Sequence, residues 1–216
     1  MEDLLPRVIV VAIMLLVGFP VHEFAHALAA YRLGDSTARF MGRLTLNPIA
    51  HFDPLGGILL AVTFIGSSFG FGWAKPTPVN PRNLEGGRYG EAVVAAAGPI
   101  SNLVLAIAAA LPFRYIINTP SLVDQIPTVV LQVLLFFILI NIVLMVFNLF
   151  PIPPLDGSKV LFAFLPPQVA WRWRPMLEQY GFILLLIVFF LPPGDSIGGR
   201  IIFPVIDGIL GFLVGR

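Results

Sequence analysis

Two histidines and a glutamate stand close together in the stretch HEFAH, residues 22–26. His22 and His26 are four positions apart, so on an α-helix they lie on one face, about 6 Å apart along the axis. Two imidazoles placed in this way can bind one metal ion, and Glu23 stands where it could take a proton from a metal-bound water. The spacing therefore predicts a metal site with a general base beside it.

The surroundings of HEFAH decide between this interpretation and a chance pattern. Five-residue patterns of this kind recur without function in soluble helices. Here the preceding residues, VIVVAIMLLVGF, carry no charge, and ionisable side chains at membrane depth are costly and usually functional. Chance would place two histidines and a glutamate in apolar surroundings for no purpose, so we favour metal binding.

The composition is typical of a membrane protein. The 216 residues are 57% hydrophobic and 12% charged, with a mean hydropathy of +0.91, whereas a soluble domain is about 25% charged. We expect an integral, multi-pass membrane protein in the lipid bilayer, forming a single domain over residues 1–216. The net charge of +1 and the lack of a basic run predict no nucleic-acid partner. Cysteine is absent, so a metal must be bound by histidine and carboxylate.

Long apolar stretches predict an all-α protein with about five membrane helices. The first residues hold Glu2 and Asp3 against one Arg7, which favours an uncleaved span over a signal peptide. Pro20, just before the histidine pair, is expected to kink or loosen the first helix. We expect the helices at about residues 4–33, 91–115, 127–150, 176–191 and, more weakly, 201–214.

The stretch GGILLAVTFIGSSFGFGW, residues 56–73, is apolar but fits two structures. It could be a short span, or two extended runs around residues 66–68 that form a re-entrant hairpin. Nine of the thirteen basic residues fall in residues 32–90 and 151–175, and the positive-inside rule assigns these segments to the cytoplasm. A full span at residues 56–73 would divide them between the two sides, so we favour the hairpin.

A third protein ligand is expected, because catalytic zinc usually takes three and keeps one position open. The remaining candidates are His51, Asp53, Asp156 and Asp207. Asp156 is the best placed, because it follows a long apolar helix in the proline-broken segment PIPPLDG. Irregular backbone at membrane depth is tolerated only where protein covers it or where it lines a water-filled cavity. His51 and Asp53 are more typical of an interfacial loop, and Asp207 of a helix end.

Together these motifs resemble the site-2 protease family of intramembrane zinc metalloproteases. The resemblance implies one zinc ion per chain, held by His22, His26 and Asp156, with Glu23 as the general base. It also supports the re-entrant hairpin. The matching text is HEFAH, FGWAKPTPVNP, GPISN at residues 98–102 and NLFPIPPLDG at residues 148–157, all within residues 15–160.

The resemblance implies hydrolysis of peptide bonds within or near the transmembrane segments of single-span membrane proteins, which is regulated intramembrane proteolysis. The expected place is a prokaryotic cell membrane, with the active site toward the cytoplasm. No stretch has the length or polarity of a PDZ or CBS domain, so we expect a minimal member with a core at about residues 4–160 and accessory helices at about residues 176–216.

Two other functions fit a metal site in a membrane. A divalent-metal transporter would also place histidine and aspartate inside the bilayer, although few other polar residues lie in the spans to form an ion path. A catalytically silent adaptor could keep a structural zinc, although the intact Glu23 argues against this.

Asparagines in the apolar helices form a further group of candidates, since such side chains need a partner in the bilayer. Asn148 could hydrogen-bond a substrate backbone or an oxyanion near the metal, or it could clamp two helices together, and both roles are open. We expect Asn141, Asn102 and Ser101 to be packing residues.

Overall fold

The computed structural model describes residues 4–66, 72–191 and 196–215. Five helical segments in these ranges are long and apolar enough to cross a membrane, which confirms the prediction of an all-α membrane protein. The α-helices are α1 (Leu4–Ile13), α2 (Phe19–Arg32), α3 (Thr37–Phe40), α4 (Pro48–His51), α5 (Pro54–Gly66), α6 (Arg88–Ile117), α7 (Pro120–Val123), α8 (Thr128–Asn148), α9 (Asp156–Phe164), α10 (Pro167–Phe190) and α11 (Ile197–Val214).

A π-helical turn, Met14–Gly18, joins α1 and α2. Pro20 follows it directly and is fully buried. Proline has no N–H to donate, and its ring crowds the carbonyl four residues earlier, which here belongs to Leu16. A wider turn relieves this crowding, so the expected disturbance of the first helix takes the form of a π-turn just before HEFAH, where such turns often accompany functional sites.

The central element is α6, which packs against α2, α8 and α9. Its buried face is built from small residues, including Ala95, Gly98 and Ala106. Small side chains let helices approach closely when no hydrophobic effect drives them together in lipid. This close approach is what brings α2 and α9 to the same place on α6.

On the other side of the molecule, α11 completes an apolar cluster with α6 and α8. The C-terminal ends of α6 and α11 lie together, because Arg114 Nη1 donates to the carbonyl oxygen of Phe212 at 3.3 Å. The fully or nearly fully buried members of this cluster include Ala106, Ile138, Ile142, Ile202 and Ile206.

The helix α10 is mostly exposed, and contacts near both of its ends help to attach it to the rest of the molecule. Arg174 Nη2 lies 2.6 Å from Glu91 Oε1 in the first turn of α6. Near the other end, the ring of Phe189 packs on that of Phe147, with 5.2 Å between centroids. The helix begins at Pro167, nine residues before the predicted start at residue 176. The prediction was wrong because the Arg174–Glu91 pair and the helical turns on both sides outweigh the one backbone bond lost at Pro175.

The stretch predicted as a hairpin begins with a helix. Pro54–Gly66 is α5, so the prediction of an extended first run is wrong. A helix satisfies its own backbone N–H and C=O groups, whereas a two-stranded hairpin leaves edge groups unpaired in apolar surroundings. Residues 67–71, which include most of the expected tip at residues 66–68, lie outside the described residues.

The chain returns to the start of α5 after this helix. Residues 72–80 have no helical structure, and Gly72 and Trp73 lie against Gly56 in the first turn of α5. A Cβ on Gly56 would overlap the carbonyl oxygen of Trp73, and a Cβ on Gly72 would overlap that of Gly56. The 13 residues of α5 extend about 20 Å, less than the roughly 30 Å of a hydrocarbon core. Re-entry into the membrane from one side stays a prediction.

Candidate metal centre

Three ligand-type atoms from α2 and α9 converge inside the bundle. Asp156 Oδ2 lies 3.2 Å from His22 Nε2 and 3.1 Å from His26 Nε2, and the two Nε2 atoms are 3.0 Å apart. All three side chains are buried. Within the described ranges, this is the group of histidine and carboxylate side chains whose geometry could hold a metal ion.

Local structure explains how each ligand reaches this point. The helical spacing of α2 puts both imidazoles on one face, with ring centroids 4.6 Å apart. Asp156 begins α9, whose first turn lies against Leu149 and Phe150, just after the end of α8. Gly157 makes this possible, because a Cβ there would overlap the carbonyl oxygen of Leu149 and lie 2.7 Å from that of Phe150.

The outer nitrogens of both imidazoles are held by oxygen acceptors. His22 Nδ1 lies 2.6 Å from Asn102 Oδ1, and His26 Nδ1 lies 2.7 Å from the carbonyl oxygen of Val94. A carbonyl oxygen only accepts, so these partners assign the proton of each ring to Nδ1. Both Nε2 atoms then present a lone pair.

The donor set fits zinc. Two Nε2 lone pairs and one carboxylate oxygen face one another within 3.2 Å, and in these tautomers no proton lies between them. Such a cluster of acceptors calls for a cation. Two imidazoles and one carboxylate are a ligand set that catalytic zinc uses, with its fourth position open.

Gly98 of α6 makes room for the three ligands. A Cβ at this position would lie 2.6 Å from His22 Nε2 and would overlap His26 Nε2. The backbone of α6 therefore forms one wall of the centre. Gly98 was not among the site residues predicted from the sequence, although its place in the GPISN motif was a usable signal.

Glu23 lies beside the ligands and is half-buried. Its Oε2 accepts a hydrogen bond from the Thr77 amide at 2.7 Å. A cavity of about 420 Å³ opens here, so the carboxylate and the ligands share one space. Polar side chains that line it include His22, Glu23, His26, Thr77, Asn148, Asp156 and Lys159.

Asn148 also lines the cavity, and its hydrogen bond lies within its own helix. Its Nδ2 donates to the carbonyl oxygen of Leu144, one turn earlier in α8, at 2.9 Å. Among the described residues this amide makes no hydrogen bond to another helix, and its role toward a substrate stays a prediction.

Two of the other sequence candidates, His51 and Asp53, serve the surrounding structure, whereas Asp207 is exposed in the middle of α11 and not at a helix end as expected. His51 is buried at the end of α4, where its Nε2 lies 2.8 Å from the carbonyl oxygen of Thr45. Asp53 Oδ1 accepts from the Gly56 amide at 2.8 Å and so caps the start of α5. Neither belongs to the converging group.

The sequence predicted Asn102 and Asn141 only as packing residues and did not single out Lys159, yet all three belong to the network of polar contacts around His22 and Asp156. Asn102 contacts His22, and Asn141 Oδ1 accepts from Asn102 Nδ2 at 3.0 Å. Lys159 Nζ lies 3.6 Å from Asp156 Oδ1. The sequence did contain a usable signal for the asparagines. A polar side chain in an apolar helix needs a polar partner, and the spans contain few polar residues that could serve as one.

Comparison with known proteins agrees with the site. The model of peptidase family M50 matches residues 113–190. The chain is 41% identical over 189 residues to "Putative zinc metalloprotease YwhC" of Bacillus subtilis (strain 168), covering 86% of this chain and 82% of that protein. It is 32% identical over 178 residues to "Putative zinc metalloprotease Rip2" of Mycobacterium tuberculosis (strain ATCC 25618 / H37Rv), covering 82% of this chain and 65% of that protein.

The chain therefore belongs to peptidase family M50, the site-2 protease family of zinc metalloproteases. Together with the five apolar helices, this makes it a membrane-embedded metalloprotease. The chain spans just under two thirds of the length of Rip2. No solved structure matches it.

Proposed function

We propose that this protein hydrolyses peptide bonds within or near the transmembrane segments of other membrane proteins. His22, His26 and Asp156 hold one zinc ion in this proposal, and Glu23 is the general base. The observation that carries it is the convergence of three buried ligand atoms, together with a carboxylate, on one cavity inside an apolar helical bundle.

Each ligand has a defined task. When bound, zinc supplies Lewis acidity, which polarises a peptide carbonyl and acidifies water at the site. His22 and His26 present neutral Nε2 lone pairs because their Nδ1 protons are held by Asn102 and the Val94 carbonyl. Asp156 adds the negative charge that partly balances a divalent cation in low-dielectric surroundings.

Glu23 moves the proton. Its Oε2 is held by the Thr77 amide, while Oε1 has no hydrogen-bond partner among the residues described. The carboxylate can accept a proton from the attacking water and pass it to the leaving amine. Asn148, on the wall of the same cavity, is proposed to hydrogen-bond the substrate backbone or the developing oxyanion.

The proposed substrates are single-span membrane proteins whose cleavage releases a domain. A helical substrate pairs its carbonyls internally, so it must unwind before a peptide bond reaches the site. Residues 72–79 border the cavity with Gly72, Trp73, Pro76 and Thr77, and an extended substrate could add to this non-helical segment by main-chain pairing.

The proposed orientation places the active site toward the cytoplasm. Nine of the thirteen basic residues lie in residues 32–90 and 151–175, the segments that follow α2 and α8, and the second of these segments contains Asp156. Basic residues collect on the cytoplasmic side of membrane proteins. A prokaryotic cell membrane agrees with the bacterial relatives.

The test is co-expression with tagged single-span membrane proteins, comparing wild type with Glu23→Gln. Glutamine keeps the shape and can still accept from the Thr77 amide, but it cannot take a proton. We expect zinc content to stay the same while cleavage is lost. Cleavage by the variant would refute the role of Glu23. Zinc binding by the wild type without cleavage of any candidate would point to an adaptor, and zinc uptake into vesicles would point to a transporter.

A further inference from the structure

A chain of three hydrogen bonds, two of them buried and the third part-buried, connects His22 to the backbone of α8. Asn141 Nδ2 donates to the carbonyl oxygen of Phe137 at 2.8 Å. Asn102 Nδ2 donates to Asn141 Oδ1 at 3.0 Å, and Asn102 Oδ1 lies 2.6 Å from His22 Nδ1. Asn102 and Asn141 have no exposed surface, so water does not compete for these bonds.

The direction of this chain is set at its far end. The Phe137 carbonyl can only accept, so Asn141 must turn its NH₂ group toward it and its oxygen toward Asn102. Asn102 must then turn its NH₂ toward Asn141 and its oxygen toward His22. The imidazole, facing an acceptor, must carry its proton on Nδ1.

We propose that Asn141 is a positioning residue that fixes the tautomer of His22 through Asn102. Asn141 hydrogen-bonds to no member of the converging His22, His26 and Asp156 group. Its effect is to keep the Nε2 lone pair of His22 facing that group. The inference rests on the proposed role of His22 as a zinc ligand.

The need for such a residue comes from Asp156. Its Oδ2 lies 3.2 Å from His22 Nε2, close enough to accept a proton from that nitrogen. In the metal-free protein, Asp156 therefore favours the tautomer with the proton on Nε2, which closes the site to a cation. In that tautomer Asn102 Oδ1 and a bare Nδ1 would face each other as two acceptors at 2.6 Å, and the asparagine chain opposes it for this reason.

Removing Asn141 is expected to release this control. In Asn141→Leu the Asn102 amide loses its fixed partner and is free to turn its NH₂ toward His22. The proton can then move to Nε2 and pair with Asp156. Partners of metal-binding histidines are typically worth about 10- to 100-fold in metal affinity, and we expect a loss of at least about tenfold here.

The experiment uses the full chain in detergent or lipid and has two readouts. Zinc affinity is measured by competition with a chelator, and the histidine tautomers of the zinc-free protein are measured by ¹⁵N NMR, which is tractable because the chain has three histidines. The matched control is Asn118→Leu. Asn118 also donates from Nδ2 to a carbonyl one turn earlier, Arg114, at 2.8 Å, but it is exposed and unconnected to His22.

A second variant restores the acceptor without Asn141. In the double variant Asn102→Asp with Asn141→Leu, a carboxylate faces His22 and can accept from Nδ1 but cannot donate to it. We expect this variant to recover the Nδ1–H tautomer and zinc affinity to within a few-fold of wild type. Recovery of zinc affinity in the double variant would also show that Asn141→Leu does not lose zinc simply because it folds poorly.

Three results would overturn the proposal. They are a wild-type His22 with its proton on Nε2, an Asn141→Leu protein with unchanged tautomer and zinc affinity, and a double variant that binds zinc no better than Asn141→Leu. Neither readout involves peptide cleavage, so failure here leaves the proteolytic function standing, and loss of the proteolytic function leaves these measurements valid.

Discussion

Thr77 donates two hydrogen bonds to Glu23. Its amide donates to Glu23 Oε2 at 2.7 Å, and its hydroxyl donates to the main-chain carbonyl oxygen of Glu23 at 3.0 Å. The two residues are 54 positions apart in the chain. These hydrogen bonds attach the non-helical segment at residues 72–80 to α2, the helix that carries both histidines. They also hold the side chain of Glu23, the proposed general base.

Two substitutions of Thr77 should distinguish the effects of these two hydrogen bonds. Thr77→Pro removes the amide donor to the carboxylate, in a segment already extended by Pro76 and Pro78. One hydrogen bond to a charged group contributes about 1.5–3 kcal/mol, so we expect kcat to fall at least about tenfold, with KM and zinc content unchanged. Thr77→Val keeps the amide and removes only the hydroxyl, so it should keep most of its activity. Equal rates for both variants would contradict the assignment.

Gly98→Ala should damage the metal centre without a change in polarity. The added methyl group would meet both Nε2 atoms, at 2.6 Å for His22. We expect zinc affinity, measured by chelator competition, to fall at least about tenfold, since even the loss of an outer hydrogen-bond partner of a metal ligand costs about 10- to 100-fold. Gly208→Ala is the control, because a Cβ at that helical position meets nothing within 4 Å, and it should bind zinc like the wild type.

The ion pair between Arg174 and Glu91 should hold α10 in place. Glu91 has only 11% of its side chain exposed, and Arg174 has 34%. Arg174→Met leaves a buried carboxylate without its partner. We expect a loss of about 1–3 kcal/mol, below the value for a fully buried pair because Arg174 is partly solvated. Thermal unfolding measures this loss, and a KM increase is also expected, since α10 lends Phe182 and Leu185 to the cavity wall.

The control for the Arg174→Met experiment is a substitution of Glu178, the second ion-pair partner of Arg174. Glu178 lies 2.7 Å from Arg174 Nε, with 54% of its side chain exposed, and exposed pairs contribute at most about 1 kcal/mol. Glu178→Gln should therefore leave the unfolding temperature almost unchanged. A shift as large as that of Arg174→Met would show that the buried Glu91 is not the source of the effect.

Asp35 should make the loop after α2 sensitive to acid. Burial raises the pKa of this carboxyl, but hydrogen bonds from the Thr37 hydroxyl, the Asn80 amide and the Asn83 side chain outweigh it and hold the pKa below the ordinary 3.8. Because the folded-state pKa is the lower one, the carboxylate contributes its full stabilisation above the unfolded-state pKa. That contribution is lost as the pH falls through the folded-state value.

The measurement compares wild type with Asp35→Asn across pH. Above about pH 5, where the carboxyl is ionised in both states, the wild type should unfold at a higher temperature. The difference should shrink below about pH 4. Glu85→Gln, an exposed change in the neighbouring turn, should show no such dependence. A constant difference down to pH 3 would mean that Asp35 acts through shape rather than charge.

Several features followed from sequence because they depend on local periodicity and composition. Helical spacing alone puts His22 and His26 on one face, and a proline-broken segment after an apolar helix marked Asp156 as the best third candidate. Apolar length alone predicted the membrane helices. The helix α5 was missed because an apolar run with glycines suits both a strand and a helix, and the need to satisfy backbone groups decided for the helix.

What the sequence by itself determined is therefore the class of protein and the types of residue at its centre. Only the tertiary structure decided which polar groups meet. The contacts of Glu23 with Thr77, and of His22 with Asn102 and Asp156, join residues 54, 80 and 134 positions apart. Helix periodicity cannot predict contacts between residues that are so far apart in the chain. The pairing is set by how closely small residues such as Gly98 let the helices approach, and by the cost of leaving any buried polar group without a partner.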